Sequence, residues 1–141
     1  MKYDEVKQDL FTVSEDYCLA HCISSDYALS AGIAKEFNKK YDMSFKLNHN
    51  YPITDANISK ALLVDNVFNL VTKQRYFHKP TYISLLDSLV DMREQCEKLN
   101  IKKLAMPKIA SGLDKLDWEQ VKVIIEDVFK DTDIEILVCY L

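Results

Sequence analysis

A mixed three-layer α/β domain, with helices on both faces of one central sheet, is the fold the sequence predicts. Three observations lead there. Short apolar runs of strand length alternate with longer stretches of helical period, the pattern of an α/β sheet. One pair of runs is separated by two residues, Asp65-Asn66, the signature of an antiparallel hairpin inside an otherwise alternating chain. The 141 residues contain no repeat and no low-complexity linker, so residues 1–141 are expected to form one core and one domain.

The first apolar run, residues 17–23, is short and continuous, as a buried strand should be. A helix is expected next, because Leu29, Ile33, Ala34, Phe37 and Tyr41 recur at helical spacing. Residues 43–60 are polar and carry no clear period. Residues 61–64 and 67–71 form the two arms of the hairpin. Pro80 is expected to open the next helix in its first turn, with Tyr82, Leu85, Leu86, Leu89, Met92, Cys96 and Leu99 on its buried stripe. Residues 102–106 make a short strand stopped by Pro107. Asp117 and Gln120 resemble a capping box, so a helix should run from there to about Lys130, with Trp118, Val121, Ile125 and Val128 inward. Residues 134–140 form a last strand apolar enough to sit inside the sheet.

In such sheets ligands gather at the carboxyl ends of the strands. Three loops leave strands there: residues 24–30, 72–79 and 107–116. The candidate site lies where they meet.

Composition narrows the function. Apolar residues make up 48% of the chain and charged residues 28%, an ordinary balance for a globular protein. A net charge of −4 without a long basic run argues against gripping a nucleic acid duplex by long-range attraction. No apolar stretch approaches the roughly eighteen residues a membrane helix needs, and no signal-peptide core follows Met1-Lys2-Tyr3-Asp4-Glu5. An intracellular, cytoplasmic setting is therefore expected, and a nuclear one fits as well. Cys18, Cys22, Cys96 and Cys139 read as reduced core thiols. Zinc at Cys18, Cys22 and His21 is the competing reading. Alternation along a strand turns both thiols away from His21, and no fourth ligand is evident.

Glycine is scarce. A chain of this length would ordinarily carry about ten; this one has Gly32 and Gly112, both in the candidate loops and near expected helix starts. Glycine lets backbone N–H groups approach a phosphate, and a helix N-terminus adds partial positive charge. Two ordinary turn glycines would look the same, so this pattern suggests a diphosphate cradle without specifying one.

Four segments read together are more telling. They are Gln8-Asp9-Leu10-Phe11; Ala20-His21-Cys22-Ile23-Ser24 leading into Ser30-Ala31-Gly32-Ile33-Ala34; Val71-Thr72-Lys73-Gln74; and Met106-Pro107-Lys108-Ile109-Ala110-Ser111-Gly112-Leu113-Asp114. In order and spacing the chain resembles the macrodomains, specifically the terminal ADP-ribose protein glycohydrolase subclass. His78-Lys79-Pro80-Thr81-Tyr82 and the ending Val138-Cys139-Tyr140-Leu141 extend the likeness over essentially the whole chain.

The resemblance implies a three-layer α/β/α macrodomain fold and a ligand, ADP-ribose, either free or attached to protein or nucleic acid. It implies a monomer that needs no cofactor, metal or membrane. Asp9 would accept hydrogen bonds from adenine, with Leu10 beside it and Leu141 closing that pocket. Ser24, Ala31, Gly32 and Ile33 would line the phosphate side. Lys108, Ile109, Ala110, Ser111, Gly112 and Leu113 would wrap the diphosphate and distal ribose. Thr72 would stand next to Lys73, the lysine that attacks the anomeric carbon, and Asp114 would complete turnover. Where the family places glycine this chain has Gln8 and Ser30, and Ala110-Ser111 replace glycine-cysteine. A positive backbone angle at any of them would be strained.

The chemistry is coherent. A neutral lysine amine can attack the anomeric carbon of an ADP-ribosyl ester and form an adduct that water releases, with an aspartate as base or proton shuttle. Taken alone, Lys73 would be a solvated lysine at a strand end and Asp114 a loop or cap residue. His21, Trp118, Tyr82 and Phe129 read as core rather than as catalyst or stacking platform. The leading expectation is hydrolysis of mono-ADP-ribosyl glutamate or O-acyl-ADP-ribose. Alternatives are hydrolysis of ADP-ribose 1″-phosphate, removal of ADP-ribose from DNA, and a reader that binds without turnover.

Overall fold

The computed structural model describes residues 1–141. Six strands, β1 (Lys2–Lys7), β2 (Cys18–Ser24), β3 (Ala61–Val64), β4 (Val67–Lys73), β5 (Lys103–Met106) and β6 (Glu135–Tyr140), form one sheet in the order β1-β6-β5-β2-β4-β3. All neighbours are parallel except the β3–β4 hairpin. The last strand is paired on both sides, as its apolar run predicted. Helices α1 (Gly32–Tyr41) and α2 (Met43–Asn50) cover one face; α3 (Tyr82–Leu99) and α4 (Trp118–Phe129) cover the other.

The alternation of strand side chains builds the two cores. On β2, Ala20 packs with Phe68, Leu70, Leu85 and Ile125 on the α3/α4 side. Leu19 and Ile23 pack with Phe37, Met43 and Leu47 on the α1/α2 side. Cys18 and Cys22 lie against the first core, opposite His21, as the strand period required. The hairpin turns at Asp65, which takes the left-handed angle (φ 54°) such two-residue turns demand.

Several expectations are corrected. Strand β1 was not foreseen. It is an edge strand whose Lys, Asp and Glu side chains are exposed, so it shows no apolar run. Helix α2 fills part of the unassigned 43–60 segment and buries only Met43 and Leu47, too few to register as a period. Asp42, left-handed at φ 53°, separates it from α1. Pro80 stands outside α3. The helix starts after Thr81, whose hydroxyl accepts from Ser84 N–H while Ser84 Oγ accepts from Thr81 N–H. At the two ends of α3, Tyr82 and Leu99 are exposed, beyond the reach of the sheet, while Leu85, Leu89, Met92 and Cys96 are buried as expected. Asp117 does cap α4, but it takes the Glu119 N–H and makes no box with Gln120.

His21 is fully buried and stacks on Phe37 with ring centroids 3.9 Å apart. Its Nε2–H donates to Asn69 Oδ1 at 2.6 Å, and Nδ1 has no partner. A second proton would create a buried charge with nothing to solvate it. Burial therefore pushes the His21 pKa down from 6.5 to about 4, against the smaller support of Asn69. Between those values only the unfolded chain takes up the proton. Stability from this site is complete above pH 6.5 and is lost as pH falls towards 4, by roughly 3 kcal/mol at ~1.4 kcal/mol per pKa unit. An NMR titration should find the His21 ring neutral down to pH 5 while the folded signals persist. Titration near 6.5 would contradict the buried placement.

Candidate functional site

At the carboxyl ends of β2, β4 and β5 a cleft of about 370 Å³ opens between the three loops. Its construction begins with an irregularity. Ile23 pairs with Val71, but the next residue, Ser24, pairs with Lys73, leaving Thr72 as an extra residue on β4. Such bulges re-aim the side chain that follows them. Here the bulge brings Lys73 level with Ser24. The displaced backbone is tied down on both sides: Ser84 Oγ donates to Thr72 O at 2.7 Å, and Ser25 N–H donates to Lys73 O at 2.9 Å.

Lys73 Nζ donates to Asp114 Oδ1 at 2.7 Å, and the two side chains are only 13% and 15% exposed. The pair joins the β4 and β5 loops across the cleft. Cys22 sits beneath it. Burial, and then the Asp114 charge, pushes the Cys22 thiol up to about 12, so it stays protonated and offers no competing nucleophile. Cys22 is thus not simply a core thiol: it is half-buried and lines the cleft.

Facing the pair is the start of α1. No side chain caps this helix and no acidic residue stands in its first turn, whereas α3 and α4 are capped by Thr81 and Asp117. Ala31, Gly32, Ile33 and Ala34 line the cleft there, so unpaired N–H groups and the positive end of the helix dipole are left for an anion.

Asp26 fastens the loops to one another, and the sequence reading missed it. One oxygen accepts from Ser24 Oγ and Ala28 N–H, and the other accepts from Tyr76 N–H. Burial alone would raise its pKa, but these donors and the Arg75 charge outweigh it and hold the carboxyl below its ordinary value. An aspartate two residues past a strand end is the kind of residue that closes an Asx turn, and that was its available signal. Tyr76, Phe77 and Lys79 also line the cleft and were missed, since nothing in the spacing says which way a loop side chain points.

Of the residues expected at the site, Ser24, Ala31, Gly32, Ile33, Lys73, Lys108, Ile109, Ala110, Gly112, Leu113 and Asp114 meet in this cleft. Lys108 lends its backbone side while its ammonium turns towards Tyr140, 4.9 Å from the ring, and Glu5, at 4.0 Å. Thr72 is buried within the bulge, and Ser111 Oγ donates to Ile109 O. Asp9, Leu10 and Leu141 lie outside the cleft, towards β1 and β6. Asp9 Oδ1 accepts from Phe11 N–H at 3.0 Å, Leu10 is buried, and Leu141 is 89% exposed and closes nothing.

Backbone angles sort the glycines. Gly32 is left-handed at φ 59°, and a Cβ there would meet Leu113 Cδ1 at 3.1 Å. Gly112 has no such angle and open space around it. The left-handed residue of its loop is Ala110, at φ 59°, where the resemblance had placed glycine. Gln8 and Ser30 show no positive φ.

No family model matches the chain. In sequence it is 43% identical over 136 residues to the Homo sapiens protein named ADP-ribose glycohydrolase OARD1, covering 94% of this chain and 88% of that protein. In structure it is similar to the macrodomain of Thermus aquaticus DarG, with a TM-score of 0.84, 18% identity and coverage of 99% and 98%. The macrodomain of Mycobacterium tuberculosis DarG gives a TM-score of 0.84, 22% identity and coverage of 99% and 97%. At these identities the two structures establish the fold.

The two glycines should respond differently to alanine. Gly32→Ala forces a side chain into the left-handed region and against Leu113, at a cost of roughly 1–2 kcal/mol. Gly112→Ala should stay within about 0.5 kcal/mol of the parent. Urea denaturation of both variants checks this; equal losses would refute the distinction.

Proposed function

Because the chain belongs to the macrodomain family, in its ADP-ribose glycohydrolase branch, we propose that it hydrolyses ADP-ribosyl linkages through Lys73 and Asp114. The reading rests on one observation: the 2.7 Å Lys73–Asp114 pair, largely shielded from water, at the floor of a cleft facing an uncapped helix N-terminus. The cleft is of a size to hold the diphosphate and distal ribose. The adenosine half would extend towards Asp9 and Leu10, across the sheet from Lys73.

The substrate is a mono-ADP-ribosyl ester of glutamate or O-acyl-ADP-ribose. As the diphosphate docks at the α1 N-terminus, the anomeric carbon comes to rest beside Lys73. The Lys73 proton passes to Asp114, and the freed nitrogen lone pair attacks the anomeric carbon. The carbon–oxygen bond to the acyl group breaks, and the carboxylate leaves with the bonding pair. Water then adds to the same carbon, assisted by Asp114. The carbon–nitrogen bond breaks, its electron pair returns to Lys73, and ADP-ribose is released. The protonated Cys22 thiol beneath the pair leaves the lysine as the only nucleophile at that point.

Roles in sequence make the two variants different. Lys73→Ala should abolish turnover yet retain ADP-ribose binding in calorimetry, because the helix N-terminus and loop contacts remain. Asp114→Ala should still form the adduct but release it slowly. Intact-mass spectrometry after incubation with an ADP-ribosyl-glutamate peptide should show an ADP-ribosyl mass on the Asp114 variant, mapped to Lys73 and absent from the Lys73 variant. Full activity in Lys73→Ala would end the covalent reading, and failure of the parent protein to bind ADP-ribose would end the assignment itself.

A further inference from the structure

The loop after β4 reads Lys73-Gln74-Arg75-Tyr76-Phe77-His78-Lys79, and it carries two large aromatic rings that the fold leaves uncovered. Tyr76 is 59% and Phe77 65% exposed, yet both line the cleft that contains Lys73. The rings support each other edge to face, with centroids 5.3 Å apart and planes at 87°, and Phe77 meets His78 in the same way at 4.6 Å. The loop beneath them is anchored. Tyr76 N–H donates to Asp26, Ser25 Oγ donates to Gln74 O, and Gln74 Nε2 donates to Asp55. Exposed aromatic surface is thus presented on a braced backbone, without a core role to account for it.

Topology says which part of a substrate this surface meets. In the order β1-β6-β5-β2-β4-β3, Asp9 follows β1 at one side and Lys73 ends β4 near the other. A ligand lying from Asp9 towards Lys73 ends at the loop after β4, where the group bonded to the anomeric carbon must stand. From this placement we propose that Tyr76 and Phe77 form a leaving-group subsite that stacks a nucleobase, so that the chain also removes ADP-ribose from a base in single-stranded nucleic acid. The inference rests on the Lys73–Asp114 reading and adds a second class of leaving group to it.

The charges at this lip favour a planar base over an acidic peptide or a duplex. Lys79 Nζ is engaged by Leu113 O at 2.7 Å, Arg75 lies 3.7 Å from Asp55, and Lys73 is paired with Asp114. Each cation has a partner, so no row of free positive charge is present to follow a phosphate backbone or to attract acidic side chains. Stacking needs none, because every base has a π-face. The bond that breaks is the one from the anomeric carbon to the base nitrogen. The base leaves with that electron pair and takes up the proton held by Asp114. Water later replaces the Lys73 nitrogen, as with the ester.

The test compares three substrates: a short single-stranded DNA ADP-ribosylated on a base nitrogen, its RNA counterpart, and a peptide ADP-ribosylated on glutamate. The parent protein should cleave at least one of the oligonucleotides, and which one identifies the sugar context. In the Tyr76→Ala/Phe77→Ala double variant, kcat/KM for that oligonucleotide relative to the peptide should fall by about tenfold or more, through KM, as stacking losses predict. Tyr76→Phe/Phe77→Trp should restore the ratio. A variant damaged only in folding would lose both activities in proportion, leaving the ratio unchanged, and that result overturns the proposal. A parent protein that cleaves the peptide but neither oligonucleotide overturns the subsite while the glycohydrolase reading stands. A parent protein that neither binds ADP-ribose nor cleaves any substrate removes both.

Discussion

Between Ile23–Ser24 on β2 and Val71–Lys73 on β4 the parallel register slips by one residue, and the cleft is organised around that slip. Without Thr72 as the extra residue, the chain position beside Ser24 would be a threonine and Lys73 would lie one step further along the strand. The slip also frees backbone groups that need partners in a buried setting. Ser84, at the start of α3, and Ser25, at the end of β2, supply them. The first turn of α3, the β2 loop and the β4 strand end are thereby fixed relative to one another.

On that base a shielded ion pair can be held. A lysine and a carboxylate withdrawn from water gain from each other only if their geometry is well kept. Here the two side chains come from loops after different strands and are 41 positions apart in the chain. Asp26 provides the fastening on the opposite wall, joining the β2 loop to the β4 loop through three hydrogen bonds. The arrangement leaves the one uncapped helix start beside the pair, α1, as the place where negative charge is welcome.

Strain is concentrated in the same loops. Tyr27 (φ 55°) and Leu29 (φ 43°) are left-handed although large and buried, and Gly32 and Ala110 share that conformation. Residues held this way persist where the surroundings over-determine them, and such positions gather at ligand sites. Ser44 Oγ on Tyr27 O and Asn57 Nδ2 on Tyr27 Oη are the surroundings in this instance. The Tyr27 conformation thus depends on α2 and on residues 55–57, a segment whose sequence carried no visible pattern.

What the sequence determined by itself was everything with a strong local signal. The apolar runs of β2, β4, β5 and β6, the Asp65-Asn66 turn and the apolar stripes of α3 and α4 follow from periodicity and turn chemistry within a few residues. The motif segments likewise placed Lys73 and Asp114 in facing loops, and they do meet. What only the tertiary structure decided was whatever depends on partners distant in the chain. Edge strand β1 exists because β6 offers it a parallel ladder, although its own residues are polar. The bulge at Thr72 is set by the pairing with β2. The need for glycine falls on Gly32 and not on Gly112, because a left-handed angle and the nearness of Leu113 are properties of the folded backbone. Tyr76 and Phe77, read along the chain, could as well have been core residues. Only the bracing of their loop by Asp26 and Ser25, contacts reaching 50 and 49 positions back, turns them outward beside Lys73.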